Sequence, residues 1–383
     1  MEYAGTRLAR DEERAPARRA AFDAPFAALT LLLLTIGVVM VLSASYARAY
    51  FSASTGHNAA YYFIRQLGFA AAGTAAMFIL SRFPMSFYAR MSFPVLAASV
   101  VLLALVPVIG VSQGDAKRWI DLGFTTFQPW EIAKIAVILY FAGLICRFRA
   151  RMRTFRYGIL PFAAVLLLIV GLLVLEPHFS AAIIIIAIGA VMLFLGGARL
   201  YWFIGGGALL LGALAVVMAF FPYASNRIAS WLDPFSNTQG VGYQIIQSLY
   251  AIGSGGLFGL GLGHGRQKYL YLPEEHNDFI FAVVCEELGF VGAVAILLLF
   301  ALLIIRGYYL AMHMRDRFSF LVTAGITTLL AIQVILNVAV VTNLAPCTGI
   351  SLPFFSYGGT ALIIQLGEMG IILSASREIP AKT

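Results

Sequence analysis

The stretch "YLPEEHNDFIFAVV", beginning at Tyr271, sets three acids, a histidine and an asparagine at the mouth of a long apolar run. Asp278 is the last polar residue before that run. A carboxylate there is partly desolvated yet still reachable from outside, which raises its pKa toward the range of a general base. The position also suits a helix N-cap, since Asp before an apolar run is a good helix start. On residue types alone the cap is the favoured reading. Glu274, Glu275 and His276 are close enough in sequence to be rival bases.

Four cations stand near the same ends of the apolar runs: Lys117 and Arg118 in "GDAKRWIDLG", and Arg266 and Lys268 in "GHGRQKY". They read either as solvated loop charges or as a site for an anionic lipid head group. Glu131 and Lys134 are three apart, share a helical face and read as a structural ion pair. Glu286 and Glu287 lie two turns into the run after Asp278, and both read as structural. One is expected against a buried cation such as Lys134 or Arg65, whereas the other has no evident partner. Arg65, Glu176, His178, Arg227, Asp233 and His264 gather toward the same side. The Gly-x-Gly steps between Gly253 and Gly265 have no strand–helix context, so they do not read as a nucleotide loop. Cys146, Cys285 and Cys347 show no metal-ligand spacing and no disulfide framework.

The elements that must hold these residues are membrane spans. The 383-residue chain is 61% hydrophobic and 11% charged, with mean hydropathy +0.89, against about 25% charged in a soluble domain. An all-α polytopic membrane protein follows. Ten apolar runs of spanning length fall at 24–45, 60–81, 91–111, 130–146, 158–175, 179–197, 201–222, 278–305, 318–342 and 357–375. One membrane domain over 24–375 is therefore expected, with a tail at each end (1–23 and 376–383) and a large loop over 222–277 between spans seven and eight. The first run lacks a small-residue cleavage site and reads as a retained span. Amphipathic stretches within 222–277 suggest a loop lying partly in the interface.

Arg7, Arg10, Arg14, Arg18, Arg19, Arg82, Arg90, the "CRFRARMRTFR" loop, Arg199, Arg306, Arg315, Arg317, Arg377 and Lys382 share one side. The positive-inside rule makes that side cytoplasmic, with both termini on it and 222–277 outside. The net charge of +8 is thus a matter of topology, not of nucleic-acid binding.

Several long segments resemble the SEDS proteins (shape, elongation, division and sporulation). They are "KRWIDLGFTTFQPWEIAK", "GYQIIQSLYAIGSGGLFGLGLG", "QKYLYLPEEHNDFIFAVVCEELGFVG" and "GISLPFFSYGGTALI". The resemblance runs in order from the first span to "ILSASRE". "WLDPF", "GLG" and "QKYLYLPE" look more like the FtsW and SpoVE branch than the RodA branch. It implies a ten-span peptidoglycan glycosyltransferase in the bacterial cytoplasmic membrane. Such an enzyme polymerises lipid II outside that membrane, in division or sporulation, beside a class B penicillin-binding protein. The family's essential aspartate maps to Asp278, which moves the reading of that residue from cap to general base. Lys117, Arg118, Arg266, Lys268, Glu131, Lys134, His276 and Ser356 are the substrate-binding candidates. A divalent cation, magnesium or manganese, is a further candidate for holding negative charge; no protein metal site is expected.

Three places depart from the family pattern: "QPWE" for QPSE, with Trp130; "EPHFS" for QPD-x-G-T, with His178 at the acid position; and "APCTGI", with Cys347. Glu176 is expected to compensate electrostatically for the missing acid. Two rival readings stay open on sequence: a lipid II flippase, and a non-catalytic scaffold for the transpeptidase.

Overall fold

The computed structural model describes residues 21–113, 116–123, 125–220, 222–236 and 240–379. The N-terminal arginines up to Arg19, Gln239 and Lys382 lie outside them. Each of the ten apolar runs falls on a helix. In chain order these are α1 (Ala24–Phe51), α2 (Tyr61–Leu80), α3 (Met85–Ile109), α4 (Trp130–Phe148), α5 (Leu160–Leu175), α6 (Phe179–Leu195) and α7 (Leu200–Phe220). Two helices, α8 (Pro222–Leu232) and α9 (Val241–Gly255), occupy the long connection, and α10 (Ile280–Met312), α11 (Arg317–Val341) and α12 (Gly359–Ser376) complete the set. Among the described residues, seven helical segments are long and apolar enough to cross a bilayer. Of the remaining runs, α6 is shorter, with 17 residues, α7 has 21, and α4 carries Glu131, Lys134 and Arg147.

Two boundaries differ from the sequence expectation in ways that matter. Helix α1 continues past residue 45 to Phe51, which puts Arg48 in its last turn. The segment between α3 and α4 folds into a small antiparallel sheet that no apolar pattern announced. Its strands are β1 (Val111–Gln113), β2 (Ala116–Asp121) and β3 (Thr126–Phe127), with Val111 opposite Trp119 and Ile120 opposite Phe127.

Helix α12 packs along α2. A Cβ at Gly370 would stand 2.5 Å from the carbonyl oxygen of Met77, so only glycine lets the two backbones meet. Helix α10 is broken at Gly289, where φ is 67° and ψ is −170°. The loop that follows α9 fills the break: Leu260 N–H donates to Glu286 O and Gly261 N–H to Glu287 O. In return, Phe290 N–H donates to Gly256 O and Val291 N–H to Leu257 O. The backbone groups freed by the break are thus bonded inside the protein, as a segment at membrane depth requires.

Candidate active site

Asp278 sits on the turn that leads into α10, and that turn is fixed from several directions. Asn337, on α11, donates from Nδ2 to the carbonyls of Asp278 (2.8 Å) and Ile350 (2.7 Å). Ser356 Oγ donates to Asn277 O at 2.8 Å and accepts from Leu352 N–H at 2.8 Å. Asn277 Nδ2 bonds Glu274 Oε2 at 2.6 Å, and Glu274 itself adopts a left-handed φ of 56°. Ser356 is therefore a buried clamp on the turn rather than part of the cavity wall, a correction to its expected role as a substrate contact.

The half-buried Asp278 carboxylate is left out of this network. Phe279, not Asp278, is the N-cap of α10, and no side chain caps that helix. The cap reading is thereby corrected. The carboxylate borders a cavity of about 810 Å³ that is also lined by Arg48, Arg65, Arg118, Arg227 and His276. Burial, reinforced by the negative charge of Glu274, pushes Asp278 up to about 6, while Arg227, His276 and Arg118 pull in the other direction. It therefore ionises just below neutrality.

Of the four cations expected to meet an anion, only Arg118 reaches the cavity. Its Nε donates to Glu176 O at 3.3 Å and its second guanidinium nitrogen to Pro177 O. Lys117 and Arg266 are exposed and stand outside the lining. Lys268 is only 2% exposed: its ammonium lies 2.6 Å from Glu287 Oε1 and 3.1 Å from Ser43 Oγ. A lysine locked in that way is a structural cation, not an anion receptor.

The same contacts correct the expectation for the acids inside α10. Glu287 meets Lys268 and Ser43 rather than Lys134 or Arg65. Glu286 accepts the backbone N–H groups of Arg266 (2.8 Å) and Gln267 (3.2 Å). Both carboxylates staple the loop that follows α9 to the break in the helix.

Arg48, Arg65 and Arg227 take the places given to the lysines. Arg227 donates to Cys347 O, and Arg65 bonds Tyr61 Oη at 2.5 Å. Arg48 grips the fully buried Glu275 through two bonds of 2.7 Å. Glu275 Oε1 also lies 3.7 Å from Nδ1 of His276, whose ring packs against both Tyr62 and Tyr357 at centroid distances of 4.6 and 5.8 Å. Glu275 is thus committed to Arg48 and His276, which leaves Asp278 the better-placed base. Arg65 and Arg227 were visible in the sequence as charges near the same ends of the apolar runs; Arg48 was hidden by placing the end of the first span at residue 45.

Glu131 and Lys134 pair as expected, at 2.7 Å, and Glu368 of α12 joins them 3.5 Å from the ammonium. Lys134 is fully buried, so it holds helices α4 and α12 together and does not present its charge to a ligand. Glu131 borders the cavity. Glu176 does not supply the compensating negative charge: burial, opposed by Arg118, pushes it up to about 8, so it is mostly neutral at pH 7. His178 is neutral too, lowered to about 3 by burial and by Arg118 and Arg227. The three cysteines are free, and Cys285 and Cys347 are buried. Among the described residues no group of three His, Cys, Asp or Glu side chains comes together as a metal cage.

A helical bundle of this apolarity, with a carboxylate and four arginines around one cavity at the ends of its helices, defines a multi-pass membrane protein whose cavity sets one acid among cations. The chain belongs to the cell cycle protein family of FtsW, RodA and SpoVE, whose family model matches residues 24–380. It is 40% identical over 365 residues to a "Probable peptidoglycan glycosyltransferase FtsW" of Trichlorobacter lovleyi, covering 95% of each chain. It is 39% identical over 351 residues to "Stage V sporulation protein E" of Bacillus subtilis, covering 91% of this chain and 95% of that one. Among solved structures, it superposes with TM-score 0.76 and 31% identity on a chain from work titled "Structural coordination of polymerization and crosslinking by a peptidoglycan synthase complex". That match covers 93% of this chain and 98% of the other. The rod shape determining protein RodA of Thermus thermophilus matches with TM-score 0.68 and 29% identity, over 94% and 99% of the two chains. The SEDS resemblance read from the motifs is thereby established.

Proposed function

We propose that this chain is a peptidoglycan glycosyltransferase that polymerises lipid II into β-1,4 glycan on the outer face of the cytoplasmic membrane. It works beside a class B penicillin-binding protein in division or sporulation. The observation that carries the reading is the Asp278 carboxylate, unbonded and raised to about 6, in a cavity shared with four arginines.

Asp278 takes the proton from the 4-hydroxyl of the acceptor sugar as that oxygen bonds to the anomeric carbon of the donor. The bond from that carbon to the pyrophosphate breaks, and its electron pair leaves with the lipid pyrophosphate. A single displacement inverts the α-linked donor to a β linkage. The leaving group is already stable as an anion, so one carboxylate suffices where glycosidases need two. Arg118 and Arg227 act on the same carboxylate and on the leaving phosphates, where fixed cations in a partly dry site stabilise developing charge. Magnesium or manganese would enter bound to the pyrophosphate.

The test uses the purified protein with its transpeptidase partner and labelled lipid II. Polymer from the wild type, lost in Asp278→Asn with the partner still bound, supports the enzyme. Movement of lipid II across liposomes without polymer supports the flippase, and neither activity supports the scaffold.

A further inference from the structure

Trp130, at the start of α4, and His178, in the turn before α6, both at positions that depart from the family motifs, pack against each other at the cavity wall. Their ring centroids are 5.4 Å apart at an interplanar angle of 77°. Both line the cavity, and their residual exposures are only 5% and 7%. Trp130 also carries the Lys134 ammonium 5.2 Å from its ring centroid, and that lysine is held by Glu131 and Glu368. Neither Trp130 Nε1 nor His178 Nδ1 has a hydrogen-bond partner, so ring and cation contacts set where the two rings lie. Unsatisfied buried polar groups are uncommon and concentrate where function outweighs stability.

The turn that presents His178 also holds an arginine. Arg118 hangs on the carbonyls of Glu176 and Pro177, the two residues immediately before it. We propose that Trp130 and His178 form one positioning unit for Arg118, which sets how well the cavity takes the pyrophosphate of a lipid-linked substrate. This deepens the glycosyltransferase reading and rests on it for the identity of the ligand. A serine at 130 would leave a void beneath the turn, letting the two carbonyls and the guanidinium shift. An aspartate at 178 would stand beside Arg118 and Arg227 and draw Arg118 into an ion pair. The neutral imidazole avoids that competition and leaves the guanidinium aimed by carbonyls alone.

The probe is undecaprenyl pyrophosphate, which carries no sugar, titrated against the full chain in nanodiscs, with polymerisation kinetics measured in parallel. Trp130→Ser and His178→Asp are each expected to raise its Kd on the order of tenfold and to lower kcat/KM for lipid II at least as much. A displaced contact is worth about 1.4 kcal/mol on that scale, within the range for coupled neighbours. Trp130→Phe keeps the ring and should stay within about twofold, which separates positioning from misfolding. In an Arg118→Ala background, Trp130→Ser should add almost nothing. Unchanged Kd in the single variants, a loss in kcat alone, or a full tenfold effect surviving without Arg118 would each overturn the proposal. If the wild type binds the probe and the variants split as described but no polymer forms, the glycosyltransferase reading fails and this one stands.

Discussion

The raised Asp278 carboxyl makes a quantitative prediction about pH. A base must be ionised to accept a proton, so activity is present above its pKa and lost as pH falls through it. With the carboxyl at about 6, half of the enzyme is competent at pH 6 and roughly a tenth at pH 5, so kcat/KM should fall about tenfold between its plateau and pH 5. The assay is the initial rate of labelled lipid II polymerisation in detergent or nanodiscs from pH 4.5 to 8, with lipid II well below KM. Two variants give the sign of the neighbouring charges. Glu274→Gln removes the like charge that raises Asp278 and should move the acid limb to lower pH. Arg227→Ala removes an opposing cation and should move it to higher pH. An imidazole titrates in the same range, so His276→Gln is the control: it removes a weaker opposing charge and should move the limb slightly to higher pH, in the direction of Arg227→Ala, without abolishing it. A flat profile down to pH 5, or a limb that follows His276 and ignores Glu274 and Arg227, refutes Asp278 as the base.

Lys268→Met should destabilise the protein by about 3–5 kcal/mol, because it strands the buried Glu287; Lys268→Met with Glu287→Leu should recover most of that, as read by thermal melts. Neither change should weaken binding of undecaprenyl pyrophosphate to the folded protein selectively, and a selective loss would return Lys268 to the substrate site. Joint neutralisation of Lys117 and Arg266 should cost less than about threefold in lipid II affinity, because the two stand outside the cavity, whereas Arg118→Ala should cost tenfold or more, within the range for a charge-assisted contact. A cysteine placed near Gln239 should react with an impermeant maleimide in intact cells, and one placed between Arg147 and Arg156 should not; the opposite pattern reverses the orientation.

Much of the fold was legible because bilayer spans are written as continuous apolar runs, a signal that survives even the buried Glu131–Lys134 pair in α4. The place of Asp278 was legible for a related reason: an acid flush against an apolar run can only sit at its mouth. Which cations share that mouth was not. Arg48, Arg65, Arg118 and Arg227 come from α1, α2, β2 and α8, and only tertiary packing converges them. Lys268 looked like Arg118 in sequence, yet Glu287, 19 residues later, takes it out of solvent. The sheet between α3 and α4 was missed because its strands are two to six residues long, too short for alternation to declare itself.

The break in α10 bears on how this span enters the membrane during synthesis. A carboxylate at the centre of an inserting helix costs on the order of 3 kcal/mol, and this helix carries two in succession. Their partners, Ser43, Ser254, the Arg266 and Gln267 amides and Lys268, all precede Glu286 and Glu287 in the chain. When α10 leaves the ribosome, every group that will neutralise or bond its acids has already been made. The stretch from Ser254 to Lys268 can therefore meet the two acids as soon as the span that carries them is made.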